Sequence, residues 1–540
     1  MPENEKVLTL GQYFSVFNYG YYGYGTVAKE LDISLLRYTK TNIDVVDWEP
    51  VRGKRNLPRE YLPYLKEKRI RFVPSYKLSK HLTEGYLVCY GHYLDRWFEN
   101  RLRLTYSDKT LPLCSIAHDY IFTFEQIVNS YLYGGLKRFD TIVVPSNAGK
   151  LVVEKLFRQF SHLFKGWNLG PKIEVIQHGI DTEKLKPIDK KACRKKLGIP
   201  EDRLVLLTIG RFSPAYKIDF VPTIIAFSEI VRLEHANKPL LIIAGGQTAW
   251  RTYLPFLKKL VSALKLSAHV KFFPDFKGEL KPVLYNSADI FISCSDHIEE
   301  SFGLVVAEAM SCGIPTIATD WDGYRELVKD GKTGMLVKTY TDSSLLDTKV
   351  IGRYGGYSSA TLIDIYQLIE KIRLLVSDKR LRQELSIAAR RFIVEKCGWE
   401  DAINKYLGLW RRQSELAASG NLDLTPMIDL SKAFDHYPSE LIDAKNITVR
   451  TSKLGKSFLD KDNVKYLFPE ESYIADGSWD TIPSISALEK GSLLEILKLA
   501  EKGAKLTAFA STGDKNSANM ERIRALKLAK YGLLDILKTD

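Results

Sequence analysis

No apolar run in this chain approaches the roughly 18 uninterrupted residues that a membrane-spanning helix needs, so an integral membrane protein is not expected. Cysteine is sparse: Cys89, Cys114, Cys193, Cys294, Cys312 and Cys397 are scattered, with no C-x-x-C pair. That argues against a disulfide frame and a structural zinc site, and it suits a reducing compartment. The first residues, Met1 to Lys6, are polar and acidic and lack the basic and apolar pattern of a signal peptide. A cytoplasmic location is therefore expected. No G-x-G-x-x-G follows the first strand-like segment, which argues against a dinucleotide fingerprint there. No nucleic-acid-binding motif is present, so nucleic acid is not an expected partner.

What is present is length and positive charge. At 540 residues, 45% of them apolar, the chain exceeds one ordinary domain and can bury large cores. The formal charge is +13, and ten basic residues crowd 51–80 against only Glu60 and Glu67. Tyr61, Tyr64, Phe72 and Tyr76 are interleaved with them. The plainer reading is a solvated surface. The other is peripheral contact with an anionic membrane or a phosphorylated acceptor.

Residues 287–337 carry the densest information. Ala288 to Ser293 is too short an apolar run for a helix and reads as a buried strand. After Gly303, Leu304 to Met310 are uninterrupted helix formers, stopped by Gly313 and Pro315. A strand at Ile314 to Thr319 and a strand-like Met335 to Val337 follow. Strand, glycine turn, helix, strand is half of a parallel α/β sheet, with the turn where such sheets bind ligands. Gly303 lets a ligand reach the N–H groups that open the helix, which favour a phosphate or a sugar hydroxyl. Glu300 and Glu308 add carboxylates able to accept hydroxyl protons. Taken singly, each glutamate is more simply a helix charge or a solvated face residue.

The string Glu300-Ser-Phe-Gly-Leu-Val-Val-Ala-Glu308 resembles the E-x7-E signature of the retaining family-4 glycosyltransferases. The likeness continues through Glu308 to Thr319, Gly323-Tyr-Arg-Glu326 and Asp330 to Gly334. It covers about residues 6–412. It implies the α/β GT-B fold, two Rossmann-like parallel-sheet domains facing across a cleft, with an α/β or mainly helical C-terminal extension. The expected divisions are 1–186, 187–395, a crossing helical segment at 396–418, and an unrecognised region at 419–540.

The resemblance also implies roles. Glu300 would hold the donor sugar and Glu308 the ribose. The N–H groups at Phe302, Gly303 and Leu304, with Arg211 and Lys217, would carry the diphosphate. Arg211 and Lys217 follow the buried strand Leu204 to Gly210 on a loop, where cations suit the charge that builds on a leaving group. His118, ending the strand Leu111 to Ala117, would touch the sugar from the other domain. The glycine-rich turn Asn18 to Thr26 is similar to the loop under the donor diphosphate, with Gly23 and Gly25 as equivalents. His178 could face the acceptor or serve at the hinge.

The expected co-substrate is a nucleotide sugar of UDP or GDP type, and the acceptor a glycan, lipid or protein. No cofactor and no metal are expected: Asp320-Trp-Asp322 has a metal-binding spacing, but chance explains it better inside this loop. Rival readings are a GT-B phosphorylase, a nucleotide-sugar epimerase and a catalytically silent binding scaffold.

Overall fold

A computed structural model describes residues 5–9, 23–47, 59–74, 81–82, 85–91, 111–118, 120, 128, 137–163, 171–214, 217–233, 238–247, 252–298, 300–341, 361–419, 444–456, 490–509, 522, 525–526, 528–529 and 532–538. Two parallel sheets organise the chain. The first contains β1 (Lys6–Thr9), β2 (Asn42–Asp47), β3 (Ile70–Pro74), β4 (Cys89–Gly91), β5 (Leu113–Ile116), β6 (Thr141–Val144) and β7 (Lys172–Val175). Their order is β3-β2-β1-β4-β5-β6-β7. The second contains β8 (Leu204–Ile209), β9 (Pro239–Gly245), β10 (Val270–Pro274), β11 (Ile290–Ser293), β12 (Thr316–Thr319) and β13 (Met335–Val337), in the order β10-β9-β8-β11-β12-β13. After them, β14 (Thr339–Thr341) and β15 (Thr361–Ile363) form a short antiparallel pair.

Both parallel orders run outward from the first strand and then reverse, which opens a crevice at the strands' carboxyl ends where the direction switches. Those points lie between β1 and β4 and between β8 and β11. The central strands are apolar runs because both their faces are covered. In β8, Val205, Leu207 and Ile209 enter one core, while Leu204 and Leu206 enter the core on the opposite face.

The helix Trp399–Ala418 returns to the first sheet and fills one of its faces. Trp399, Ile403, Tyr406 and Trp410 pack with Val7, Val45, Tyr90 and Ile116. Gln413 Nε2 donates to the carbonyls of Leu113 (3.1 Å) and Phe139 (2.8 Å). The two passages between the lobes run side by side. Ile180 N donates to Cys397 O (2.8 Å), and a Cβ on Gly179 would lie 2.3 Å from the Trp399 ring.

Residues 6–17 read as a first strand in the sequence; the structure describes β1 over Lys6–Thr9, and residues 10–22 lie outside the described residues. The sequence pattern predicts a helix over Val27 to Tyr38; it begins earlier, at Gly23, so Gly23 and Gly25 are helical. Glycine is tolerated there because first-turn N–H groups have no intrahelical partner to lose. The sequence pattern predicts an inward stripe of Leu151, Val152, Leu156, Phe160 and Leu163, which the helix Asn147–Leu163 does not follow. It buries Gly149, Val153 and Phe157, leaving Leu151, Val152 and Leu163 exposed. Gly149 contributes no hydrophobicity to a pattern, yet it lets Tyr120 approach so closely that a Cβ would sit 1.9 Å from its hydroxyl.

The basic segment is not simply surface. Arg69 donates to the carbonyls of Leu36, Thr39 and Thr41, closing the end of the helix Gly23–Tyr38, and Arg71 pairs with buried Asp44. Tyr61 is fully buried. Arg59, Lys66 and Lys68 remain exposed; 51–58 and 75–80 lie outside the described residues.

Beyond the crossing helix, β16 (Ile447–Thr451) pairs antiparallel with β17 (Ala504–Lys505) and β18 (Leu534–Lys538), backed by the helix Lys490–Leu499. A strand over Lys505 to Ala510 is what the sequence pattern predicts. It ends after Lys505 in a 3-10 turn, Leu506–Phe509, which aims Leu506 and Phe509, three residues apart, into the same core.

Candidate active site

At the end of β8 the chain makes a tight return. A Cβ on Gly210 would lie 2.6 Å from Ile218 Cγ2, and one on Gly245 would lie 1.7 Å from Gly210 O. Side chains are therefore excluded where the ends of β8 and β9 meet. Phe212 N donates to Gly246 O (2.9 Å), and Ser295 Oγ donates to Lys217 O (2.9 Å). The loop bearing Arg211 and Lys217 is thus fastened to both neighbouring strands. Arg211 stands half-buried at its start.

Lys217 Nζ lies 2.5 Å from Glu300 Oε2. Glu300 is buried, at 4% exposure, whereas the Lys217 side chain retains 26%. The ammonium has three protons, so it can hold Glu300 and still offer donors to an anion in the crevice.

Gly303 opens the helix Leu304–Ser311 with φ +99°, and its Cβ would meet the Tyr324 ring at 2.5 Å. Only glycine suits both conditions. Gly303 offers no side chain to cap this helix start, which leaves its first N–H groups unclaimed by an N-cap side chain. Tyr324 anchors the region from below, with its hydroxyl 2.7 Å from Ser293 Oγ. Burial, then the Glu300 charge, hold that phenol well above its ordinary pKa, so it stays neutral.

Glu308 is buried rather than solvated. Its Oε1 pairs with Lys281, and its Oε2 accepts from the Tyr285 hydroxyl (2.7 Å). Neither partner belongs to a motif recognised in the sequence. They come from the helix Lys281–Ser287, which packs beside the glutamate's own helix. Phe302 is buried, and its ring meets His178 edge-on at 5.2 Å. His178 in turn lies 5.3 Å from His118. Three rings from the first lobe, the linker and the second lobe therefore form one contiguous cluster. Burial pushes the His118 imidazole down to about 4, and burial with His118 beside it pushes His178 well below its ordinary value. Both are neutral at pH 7.

The lobes also touch through polar groups. Tyr120 OH donates to Ser301 O, and Ser301 Oγ donates to His118 O, each at 3.3 Å. Asp322 beside them is raised to about 8 by burial and by the charges of Glu300 and Glu326. Asp296, following β11, is raised to about 7, mainly by burial. No sequence signal singled out Asp296, and Asp322 drew notice only through the Asp320-Trp-Asp322 spacing. Asp320 is engaged by Arg325 (2.7 Å), and among the described residues no group of three or more His, Cys, Asp or Glu is arranged around a metal position. Gly23 and Gly25 stand at the start of the helix that follows β1; no described contact joins them to the second lobe.

The arrangement resembles known proteins. Residues 189–351 match the family model described as glycosyl transferases group 1. The D-inositol 3-phosphate glycosyltransferase of Mycobacterium bovis is 35% identical over 268 residues, covering 48% of this chain and 52% of that protein. Its namesake from Geodermatophilus obscurus is 28% identical over 271 residues, covering 48% and 58%. The chain thus spans about half the length of the curated relatives it matches. Among solved structures, Anabaena HepE in complex with UDP and glucose has a TM-score of 0.53 at 18% identity, covering 77% of this chain and all of that one. A glycosyltransferase of Rickettsia africae has a TM-score of 0.56 at 16% identity, covering 76% and 99%. Those likenesses establish the two-lobed architecture. The chain therefore has the GT-B fold, and its residues 189–351 match the family model of glycosyl transferases group 1.

Proposed function

We propose that the chain is a retaining glycosyltransferase that moves a sugar from a nucleotide-diphosphate sugar to an acceptor hydroxyl. The observation that carries this reading is the Lys217–Glu300 ion pair in the switch-point crevice, two residues from Phe302, whose ring joins His178 and His118 of the other lobe in one cluster. Glu300 takes the donor sugar's hydroxyls and Glu308 the ribose. Lys217, Arg211 and the N–H groups at Phe302, Gly303 and Leu304 hold the diphosphate, with Gly23 and Gly25 beneath it in the first lobe.

The acceptor oxygen bonds to the anomeric carbon on the face from which the diphosphate leaves. The departing oxygen keeps the electron pair of the broken bond and takes the acceptor's proton, so no separate protein base is needed. Charge on the leaving group is offset by the two cations, the kind of preorganised electrostatics that contributes most to such steps. They supply what a divalent metal would. Neutral His118 can donate a hydrogen bond to the sugar without adding a charge.

The donor is of UDP or GDP type; the UDP bound by HepE favours the first. The acceptor is a glycan, lipid or protein, and the name of the curated relatives adds phosphorylated polyols to the acceptors worth assaying. Six free, buried cysteines suit a cytoplasmic setting.

A thermal-shift screen of nucleoside diphosphates and nucleotide sugars, run in EDTA, tests the reading. A bound donor at a hundredfold excess over its dissociation constant stabilises by about 3 kcal/mol. Lys217→Ala should cut turnover about 10²-fold, the scale of losing one transition-state donor. No shift with any nucleotide, or undiminished turnover in that variant, would refute the assignment.

A further inference from the structure

The helix Asn147–Leu163 belongs to the first lobe, yet its opening N–H groups are met from the second. Glu326 Oε1 accepts from Asn147 N (2.6 Å) and Ala148 N (3.2 Å), and its Oε2 accepts from Asn147 Nδ2 (3.1 Å). The next N–H, of Gly149, goes to Ser146 Oγ of its own lobe (3.0 Å). A carboxylate at a helix start also meets the positive end of the helix dipole. Neighbouring Arg325 is engaged by Asp320, and among the described residues Glu326 pairs with no Lys or Arg. Its described hydrogen-bond donors all belong to the opposite lobe.

The segment that carries Glu326 is continuous with the donor loop. A Cβ on Gly323 would lie 2.7 Å from both Phe302 Cα and Ser301 O, so the turn 320–323 and residues 300–303 are in direct backbone contact. At that packing a shift of one segment presses on the other. Asp322, on the same turn, reaches Ser146 of the first lobe. Ser301, on the donor loop, meets both Tyr120 and the carbonyl of His118.

We infer that Glu326 is a positioning residue whose carboxylate latches the two lobes together by capping the first lobe's helix, and so holds the Glu300 loop against His118. Opening the lobes removes all three hydrogen bonds at once. Closing them excludes water from the activated sugar. The catalytic consequence rests on the glycosyl-transfer reading above; the latch itself does not.

The variant Glu326→Gln keeps the shape of the side chain, removes its charge and, with its oxygen toward the helix N–H groups, sets an amide donor against Asn147 Nδ2. Small-angle scattering of the full chain should give a larger radius of gyration for the variant than for the wild type. Turnover kcat should fall about tenfold while the dissociation constant for the nucleoside diphosphate stays within about twofold, because all but Gly23 and Gly25 of the groups assigned to that ligand belong to the second lobe. The fraction of donor lost to water should rise. Asn147→Asp, which sets a second carboxylate against Glu326 from the other side, should open the wild-type pair. It should partly restore compactness in the Glu326→Gln background, where the introduced carboxylate can accept from the new amide.

A fold defect would instead abolish diphosphate binding and lower the melting temperature, with no such rescue. Unchanged scattering with an unchanged ratio of hydrolysis to transfer, or strictly additive effects of the two variants, overturns the latch. If the wild type binds no nucleoside diphosphate, the functional reading fails and the scattering comparison still decides the inference.

Discussion

Asp322 is an acid kept out of water in a turn with φ +37°, a backbone region where asparagine and aspartate are the side chains best tolerated. Its pKa is raised from 3.8 to about 8, first by burial and then by Glu300 and Glu326. Lys217 is the cation paired with that Glu300, and Ser146 bonds the carboxyl itself. The folded chain thus retains a proton that the unfolded chain releases above 3.8. The stability tied to that proton is fully present below pH 3.8 and is lost as the pH rises to about 8. Asp322→Asn removes the titration while keeping size and backbone preference. Its melting temperature should gain on the wild type across that window and hold a constant lead above it, as thermal melts from about pH 4 to 9 would reveal. A difference that does not vary with pH would mean the acid is solvated.

At the scale of elements, the helix Trp399–Ala418 explains why the two lobes are one folding problem. Trp410 is completely buried, stacked 5.2 Å from Tyr90, whose hydroxyl donates to buried Asp32 (2.6 Å). A helix that follows the second lobe thereby completes the core of the first. Trp410→Ala should destabilise by about 3–5 kcal/mol, the usual cost of emptying a large buried aromatic site. Urea unfolding monitored by the far-ultraviolet signal would measure it. A loss below about 1 kcal/mol would mean that the helix is dispensable to the first lobe's core. The helix Asn147–Leu163 makes the complementary point. Its apolar residues allow more than one inward face, and the close approach of Tyr120 to Gly149 selects the one that leaves Leu151, Val152 and Leu163 in solvent.

For the whole molecule, net charge and exposed surface set the encounter with partners. Arg59, Lys66 and Lys68 remain exposed on the first lobe, as do Lys155 and Arg158 beside Leu151 on the helix Asn147–Leu163. Basic charge beside exposed aliphatic residues is the surface that an anionic bilayer attracts. The chain should float with vesicles containing anionic lipid and stay behind with neutral ones, and the difference should vanish at high salt. Equal behaviour with both would remove membrane attachment from the account. Among the described residues no helix is long and apolar enough to cross a membrane, so any such contact made by the helices is peripheral.

The parallel α/β class was legible in the sequence because its causes are local. Apolar runs such as Leu204 to Ile209 are buried on both faces, Gly313 and Pro315 stop a helix, and Gly303 stands where φ is positive. Each can be read within a few residues. By contrast, Glu308 meets Lys281 and Tyr285, which lie 27 and 23 residues before it, because two helices pack side by side. Glu326 reaches Asn147 across 179 residues and between lobes. The neutrality of His118 and the raised pKa of Asp322 come from burial, which a linear pattern does not record. The order of residues was enough to set which segments become strands and helices and which charged residues stand at their ends. Which of those charges meet, and which are hidden from water, was left to the packing of the two lobes, since both depend on distances through space rather than along the chain.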